Sequence, residues 1–122
     1  MIAILLVFFC ATVTEAYPVT TKTTVSGSSF NAGTTHEWLY CTGTATGTVT
    51  INLYASSALN TGQNIKISDG AFNASVNNIM VTPHGTDNIL QAGAGAAWPI
   101  DGNGATLWIT ADGLGNWFSF QG

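Results

Sequence analysis

Three observations predict an all-β fold, a small antiparallel β-sandwich or barrel-like domain. Aliphatic residues recur two apart in short runs, each run stops at a turn-forming Asp, Pro or Gly, and no 3.6-residue period is sustained after residue 16. The clearest runs are IKISDG at 65–70, IMVTPHG at 79–85 and LWITADG at 107–113. In each, two aliphatic side chains two apart point to one face of a pleated strand, and the turn supplies backbone geometry suited to Asp, Pro or Gly. These units recur at uneven spacing, which argues against a solenoid repeat.

The chain opens on an apolar run at 2–13, shorter than the ~20 residues a membrane-spanning helix needs. It matches the apolar region of a secretory signal, with Thr14-Glu15-Ala16 as a weak cleavage site and Tyr17 as the first mature residue. No positive residue precedes it, so a hydrophobic peg docking into a larger particle and a misassigned start codon stay open beside the signal reading. Phe8 and Phe9 sit where a lipoprotein would place small residues before Cys10. Residues 1–16 are thus one segment, 17–47 a Thr/Ser-rich stretch and 48–122 the main β-module.

Within 17–35, β-branched threonines favour an edge strand around TKTTV, and 26–33 reads as loop. Residues 36–41 form a strand with Leu39 and Cys41 on one face and His36, Trp38 and Tyr40 on the other. After a small-residue turn at 42–47, Val49, Ile51 and Leu53 point inward while Thr50, Asn52 and Tyr54 point outward. The 55–62 link breaks that strand. Strands at 64–68, 78–82, 88–90, 105–110 and 117–120 complete the set. The predicted core is Val49, Ile51, Leu53, Ile65, Ile67, Ile79, Val81, Ile89, Leu107 and Ile109. On the other faces, Tyr54, Met80 and Trp108 are candidate interface or ligand contacts, because large apolar side chains grouped on a surface mark binding. Trp98, before Pro99 in a Gly/Ala-rich loop, is the best candidate among four tryptophans for stacking on a ligand such as a sugar.

Charged residues are 7% of the chain against about 25% in ordinary domains, and the net charge is −4. Such a polar but weakly ionic surface costs little to bury against a neighbouring subunit. Lys22 and Lys66 are the whole positive complement, too few for phosphate-driven nucleic-acid binding or a polybasic membrane patch. Cys41 reads as a small buried apolar residue, and a Cys10–Cys41 disulfide is not expected.

Little of the remaining inventory suits catalysis. Asp69, Asp101 and Asp112 each precede glycine, where a carboxylate caps turn N–H groups; calcium is the functional alternative, without the spaced carboxylates of a calcium loop. His84 sits in a turn, and His36 and Glu37 point to opposite faces of their strand. No CxxC or paired-His metal spacing occurs, and nothing local supports a Cys41–His dyad. QAGAGAAW lacks the Lys-Ser/Thr of a phosphate loop, and Asn73-Ala74-Ser75 matches a glycosylation sequon of low information. The expectation is a non-enzymatic protein with no cofactor and no metal. A hydrolase using His36 or His84 is the weakest rival.

Gly62, Ile65-Lys66-Ile67-Ser68-Asp69, Ala74, Asn78-Ile79-Met80-Val81-Thr82-Pro83, Gly85, Asp87-Asn88-Ile89 and the closing Asp112-Gly113-Leu114-Gly115-Asn116-Trp117 occur in an order that resembles a short β-module of bacteriophage tail fibres, tail spikes and head fibres. Thr48-Val49-Thr50-Ile51-Asn52-Leu53 is similar to its leading strand, so the resemblance covers about 48–118. It departs from the pattern in the 91–99 loop, where the glycine after Asp-x-Ile comes late, at Gly93, and in the hydrophobic N-terminus. The resemblance implies a non-enzymatic, usually homotrimeric virion protein that contacts other virion proteins and presents a surface to the host, including a host glycan. A secreted or cell-surface binding module for carbohydrate is the alternative.

Overall fold

The computed structural model describes residues 21–34, 38–90, 92–93 and 95–121. His36, Glu37, Cys10, Gln91 and the whole segment 1–16 lie outside the described residues, as do the expectations placed on them. The described chain is all-β, with two short 3-10 turns at Gly43–Ala45 and Ala58–Asn60.

The strands are β1 (Lys22–Val25), β2 (Ser29–Asn31), β3 (Trp38–Cys41), β4 (Val49–Asn52), β5 (Asn64–Asp69), β6 (Ile79–Thr82), β7 (Asn88–Ile89), β8 (Trp98–Ile100), β9 (Thr106–Ala111) and β10 (Asn116–Gln121). They form a six-stranded sheet in the order β1-β3-β5-β9-β10-β7 and a four-stranded sheet in the order β2-β4-β6-β8. From β1 to β8 the chain alternates between the two sheets, and as far as β6 each return adds a parallel neighbour to the sheet. Lys22 stands beside Trp38 and Trp38 beside Lys66 in one sheet; Ser29 stands beside Thr50 and Thr50 beside Met80 in the other.

Here the expectation of an antiparallel sheet is corrected. Among the described strands, five of the eight pairings are parallel. Only β6–β8, β5–β9 and the β9–β10 hairpin are antiparallel. Parallel neighbours need a long crossover, and in this chain the crossover is the strand laid into the opposite sheet. From β1 to β6 the chain therefore winds back and forth between the two sheets. The turns of this winding differ in length, so it leaves no fixed period in the sequence.

Two elements assigned to loops are strands. β2 lies within 26–33, and β8 begins in the 91–99 loop and ends one residue past it, at Ile100; both are edge strands of the smaller sheet. Pro99 is tolerated because an edge strand can spare an N–H.

One core joins both sheets. All ten predicted core residues are buried, together with Val25, Ala32, Leu39, Cys41, Ile100, Ala111 and Trp117. Strands on both sides of residue 47 contribute to it. Burying a Leu- or Ile-sized side chain contributes roughly 1.5–3 kcal/mol each, so this cluster is what holds the two sheets face to face.

Candidate functional site

The outer face of the larger sheet concentrates side chains that can bind. Strand pairing sets Lys22, Trp38, Lys66 and Trp108 side by side in one row across β1, β3, β5 and β9. Thr24, Tyr40, Ser68 and Thr106 form the next row. Along β5 and β9 the first row alternates with buried positions: Trp108 lies between Leu107 and Ile109, and Lys66 between Ile65 and Ile67.

Cation–π contacts order the first row. The Lys66 ammonium lies 4.2 Å from the Trp38 ring centre and 5.2 Å from that of Trp108. The Lys22 ammonium lies 4.4 Å from the Tyr40 ring and 5.5 Å from Trp38. Contacts of this kind contribute about 0.5–1 kcal/mol at exposed positions. Trp38 is fixed further by donating its indole N–H to Ser68 Oγ at 3.0 Å, and it meets Tyr40 edge-to-face at 5.9 Å. Tyr40 packs over Gly70, where an added Cβ would come within 2.6 Å of the ring, so only glycine fits beneath it. Trp108 stays 43% exposed and Phe118, on the neighbouring β10, 44% exposed.

The four candidate residues from the sequence do not share this face. Trp108 is on it. Met80 is on the outer face of the opposite sheet, between Thr50 and Pro99. Tyr54 packs partly against the core, edge-to-face with Trp117 at 5.2 Å, and its hydroxyl meets Gln63 at 2.9 Å. Burial pushes the Tyr54 phenol up to about 12. Trp98 stands beside Val81 and packs against the core, with its indole N–H buried and without an acceptor among the described residues, as is that of Trp117. Sequence reading missed Lys22, Lys66, Trp38, Tyr40 and Phe118 as a group. Alternation gave the outward phase of Trp38 and Tyr40, but only the register between distant strands brings the set together.

The aspartates at the turns build the frame. Asp69 is buried and accepts from the Thr44 hydroxyl at 2.7 Å and from the backbone N–H groups of Ala71, Asn73, Ala74 and Gly104 at 2.8–3.3 Å. Burial pushes this carboxyl up, but the hydrogen bonds from Gly104, Thr44, Ala74 and Asn73 outweigh it and hold the group below the usual carboxylate range. A ring of N–H and O–H donors is the reverse of a cation site, which would present oxygen lone pairs. Asp112 accepts from Asn116 Nδ2 at 2.8 Å and from the N–H groups of Leu114 and Asn116 at 2.7 and 3.0 Å; these bonds lower its pKa, that from the Asn116 side chain most. Asp87 accepts from the Ser56 N–H at 2.8 Å. No cluster of three or more potential metal-ligating residues occurs among the described residues.

Cys41 is a free, buried thiol. Burial, and then the negative charge of Asp69, push it up to about 12, so it stays protonated and unreactive at neutral pH.

No protein-family model matches the chain, and no curated protein matches it.

Proposed function

We propose that this chain is a non-enzymatic structural protein of a bacteriophage particle, a fibre- or decoration-type β-module attached to capsid or tail. In this reading it assembles as a homotrimer with other virion proteins and displays one sheet face to the host or the environment. The observation that carries it is the division of labour between the two outer faces. The larger sheet keeps Trp108 and Phe118 exposed on the face that also carries Lys22 and Lys66. Among the described residues, the strands of the smaller sheet carry no ionisable side chain: their outward residues are Ser29, Asn31, Thr50, Asn52, Met80, Thr82 and Pro99. A neutral face of this kind can be covered by other copies with little desolvation cost. Residues that carry the resemblance to phage appendage modules also support the reading, since Asp69, Asp112, Gly113 and Asn116 make the turns and Trp117 fills the core.

The exposed aromatic face equally suits a secreted carbohydrate-binding module, so location decides between the two. Mass spectrometry of purified particles and of culture medium checks this: the particle reading expects the chain in the particle fraction, and a chain confined to the medium of uninfected cells overturns it. Light scattering on the purified protein should give three times the chain mass, and a stable monomer at micromolar concentration would remove the trimer from the proposal.

A further inference from the structure

The chain has a net charge of −4, yet its only two cations, far apart in sequence, fall in one sheet row and alternate there with tryptophans. Neither lysine has a carboxylate partner among the described residues; both are held by aromatic rings instead. The outward positions of β1, β3, β5 and β9 carry no acidic residue. Ring contacts restrain the ammonium groups without consuming all their N–H donors. Two positive charges are thus pre-positioned on one sheet face, which carries no counter-charge among the described residues.

We infer that this face binds an acidic polysaccharide. Lys22 and Lys66 take its carboxylate or sulfate groups, while Trp38, Tyr40, Trp108 and Phe118 pack against the C–H faces of the sugars. Trp38 and Trp108 are separated by two strand spacings, roughly 10 Å, about the length of a disaccharide. A polymer that repeats apolar sugar faces and anionic groups matches a row that repeats rings and ammonium groups. Nucleic acids and anionic membranes draw on many more cations than two, and an acidic polypeptide lacks the flat C–H face. The inference deepens the display function proposed above and rests on it only for where the ligand is met.

Affinity electrophoresis of the full chain tests it, in gels cast with alginate (carboxylate), dextran sulfate (sulfate) or neutral dextran. Retardation is expected with at least one polyanion and not with dextran. The protein's overall charge opposes any such retardation, so a positive result comes from a local site. The Lys22→Gln/Lys66→Gln variant should lose at least tenfold in affinity and Trp108→Ala about tenfold, with far-ultraviolet spectra unchanged. Thr50→Ala, on the opposite sheet, should bind as the parent does. Affinity should fall with salt with a log–log slope of about −2 or shallower.

Failure of both polyanions, equal retardation by dextran, or an unaffected double-lysine variant would each overturn the inference. So would tighter binding to a DNA oligonucleotide, phosphatidylserine vesicles or polyglutamate. Particle location and oligomer mass report on the other proposal independently: a particle-bound chain that ignores polyanions sinks only this one, and a medium-only chain that binds them sinks only that one.

Discussion

The Asp69 carboxylate accepts from donors on three separate segments of chain, whereas Asp112 accepts mostly within its own turn. Both are Asp-Gly dipeptides at the end of a six-residue strand. At Asp69, the Gly43–Ala45 turn, the loop 71–74 and the loop before β9 converge on one side chain. Asn73 and Asn77 close the arrangement by donating to the Thr44 carbonyl at 2.9 Å. At the other end of the molecule the organising group is Ser56. Its N–H donates to Asp87, its carbonyl accepts from Gly115, and its hydroxyl accepts from Gly113 at 3.0 Å and donates to the Asn116 carbonyl at 2.9 Å. At Asp69 one carboxylate ties all three segments, whereas at Ser56 the hydroxyl ties the hairpin to its loop and the Asp87 carboxylate brings in the third segment.

The largest expected effect comes from breaking the buried carboxylate. Asp69→Ala leaves four backbone N–H groups and the Thr44 hydroxyl without their acceptor. Each unsatisfied buried group costs about 1–3 kcal/mol, reduced where water can enter. A net loss of about 4 kcal/mol is expected, a large share of a typical domain stability of ~5–15 kcal/mol. Urea unfolding checks it. A loss under about 1 kcal/mol would mean the three segments hold without the carboxylate.

That contrast was half legible in the sequence. Alternation at 49–53, 65–67, 79–81 and 107–109 identified the core, because burial on one face of a strand leaves a period of two whichever way its neighbour runs. For the same reason it could not tell parallel from antiparallel pairing. The available clue was negative: two-residue hairpin loops are missing between successive early strands. β2 and β8 were invisible because three residues of Ser-Phe-Asn or Trp-Pro-Ile carry too little alternation. Asp69 and Asp112 read alike since the sequence shows only the dipeptide, and the partners that separate them, Thr44 and Gly104 against Leu114 and Asn116, differ in sequence distance. The lysine–tryptophan row depends on register across β1, β3, β5 and β9, which no local pattern encodes.

Ser56→Ala should have a smaller effect and sharpen the comparison. It removes the acceptor of the Gly113 N–H and the donor to the Asn116 carbonyl and, at 3.3 Å, to the Asp112 carboxylate, but the Ser56 N–H bond to Asp87 and the Gly115 N–H bond to the Ser56 carbonyl survive. The expected cost is about 1–2 kcal/mol. Gly113 is held at φ +82 with no room for a Cβ beside Thr61, so the hairpin cannot shift freely to find another acceptor. If Ser56→Ala proved as damaging as Asp69→Ala, the hydroxyl would be an equal partner to the charge and the division drawn above would fail.

The smallest effect is read by acid. Both Asp69 and Asp112 have folded pKa values below the ordinary one, so each favours the folded state fully above about pH 4, the unfolded value, and progressively less as pH falls toward its folded value. Stability should therefore drop below about pH 4 and be flat with respect to these two groups at neutral pH. Asp112→Asn removes one of the two contributions, and its urea midpoint should fall less steeply with acid than that of the parent. The slope that remains should include Asp69, because its donors are backbone groups from distant segments that Asp112→Asn does not touch. Loss of the entire acid slope in Asp112→Asn would place the proton linkage in the local turn and reverse the roles assigned to the two carboxylates. Retention of the full slope would instead mean that the Asn116 and Leu114 bonds to Asp112 persist in the unfolded chain, where a contact only two to four residues long can survive.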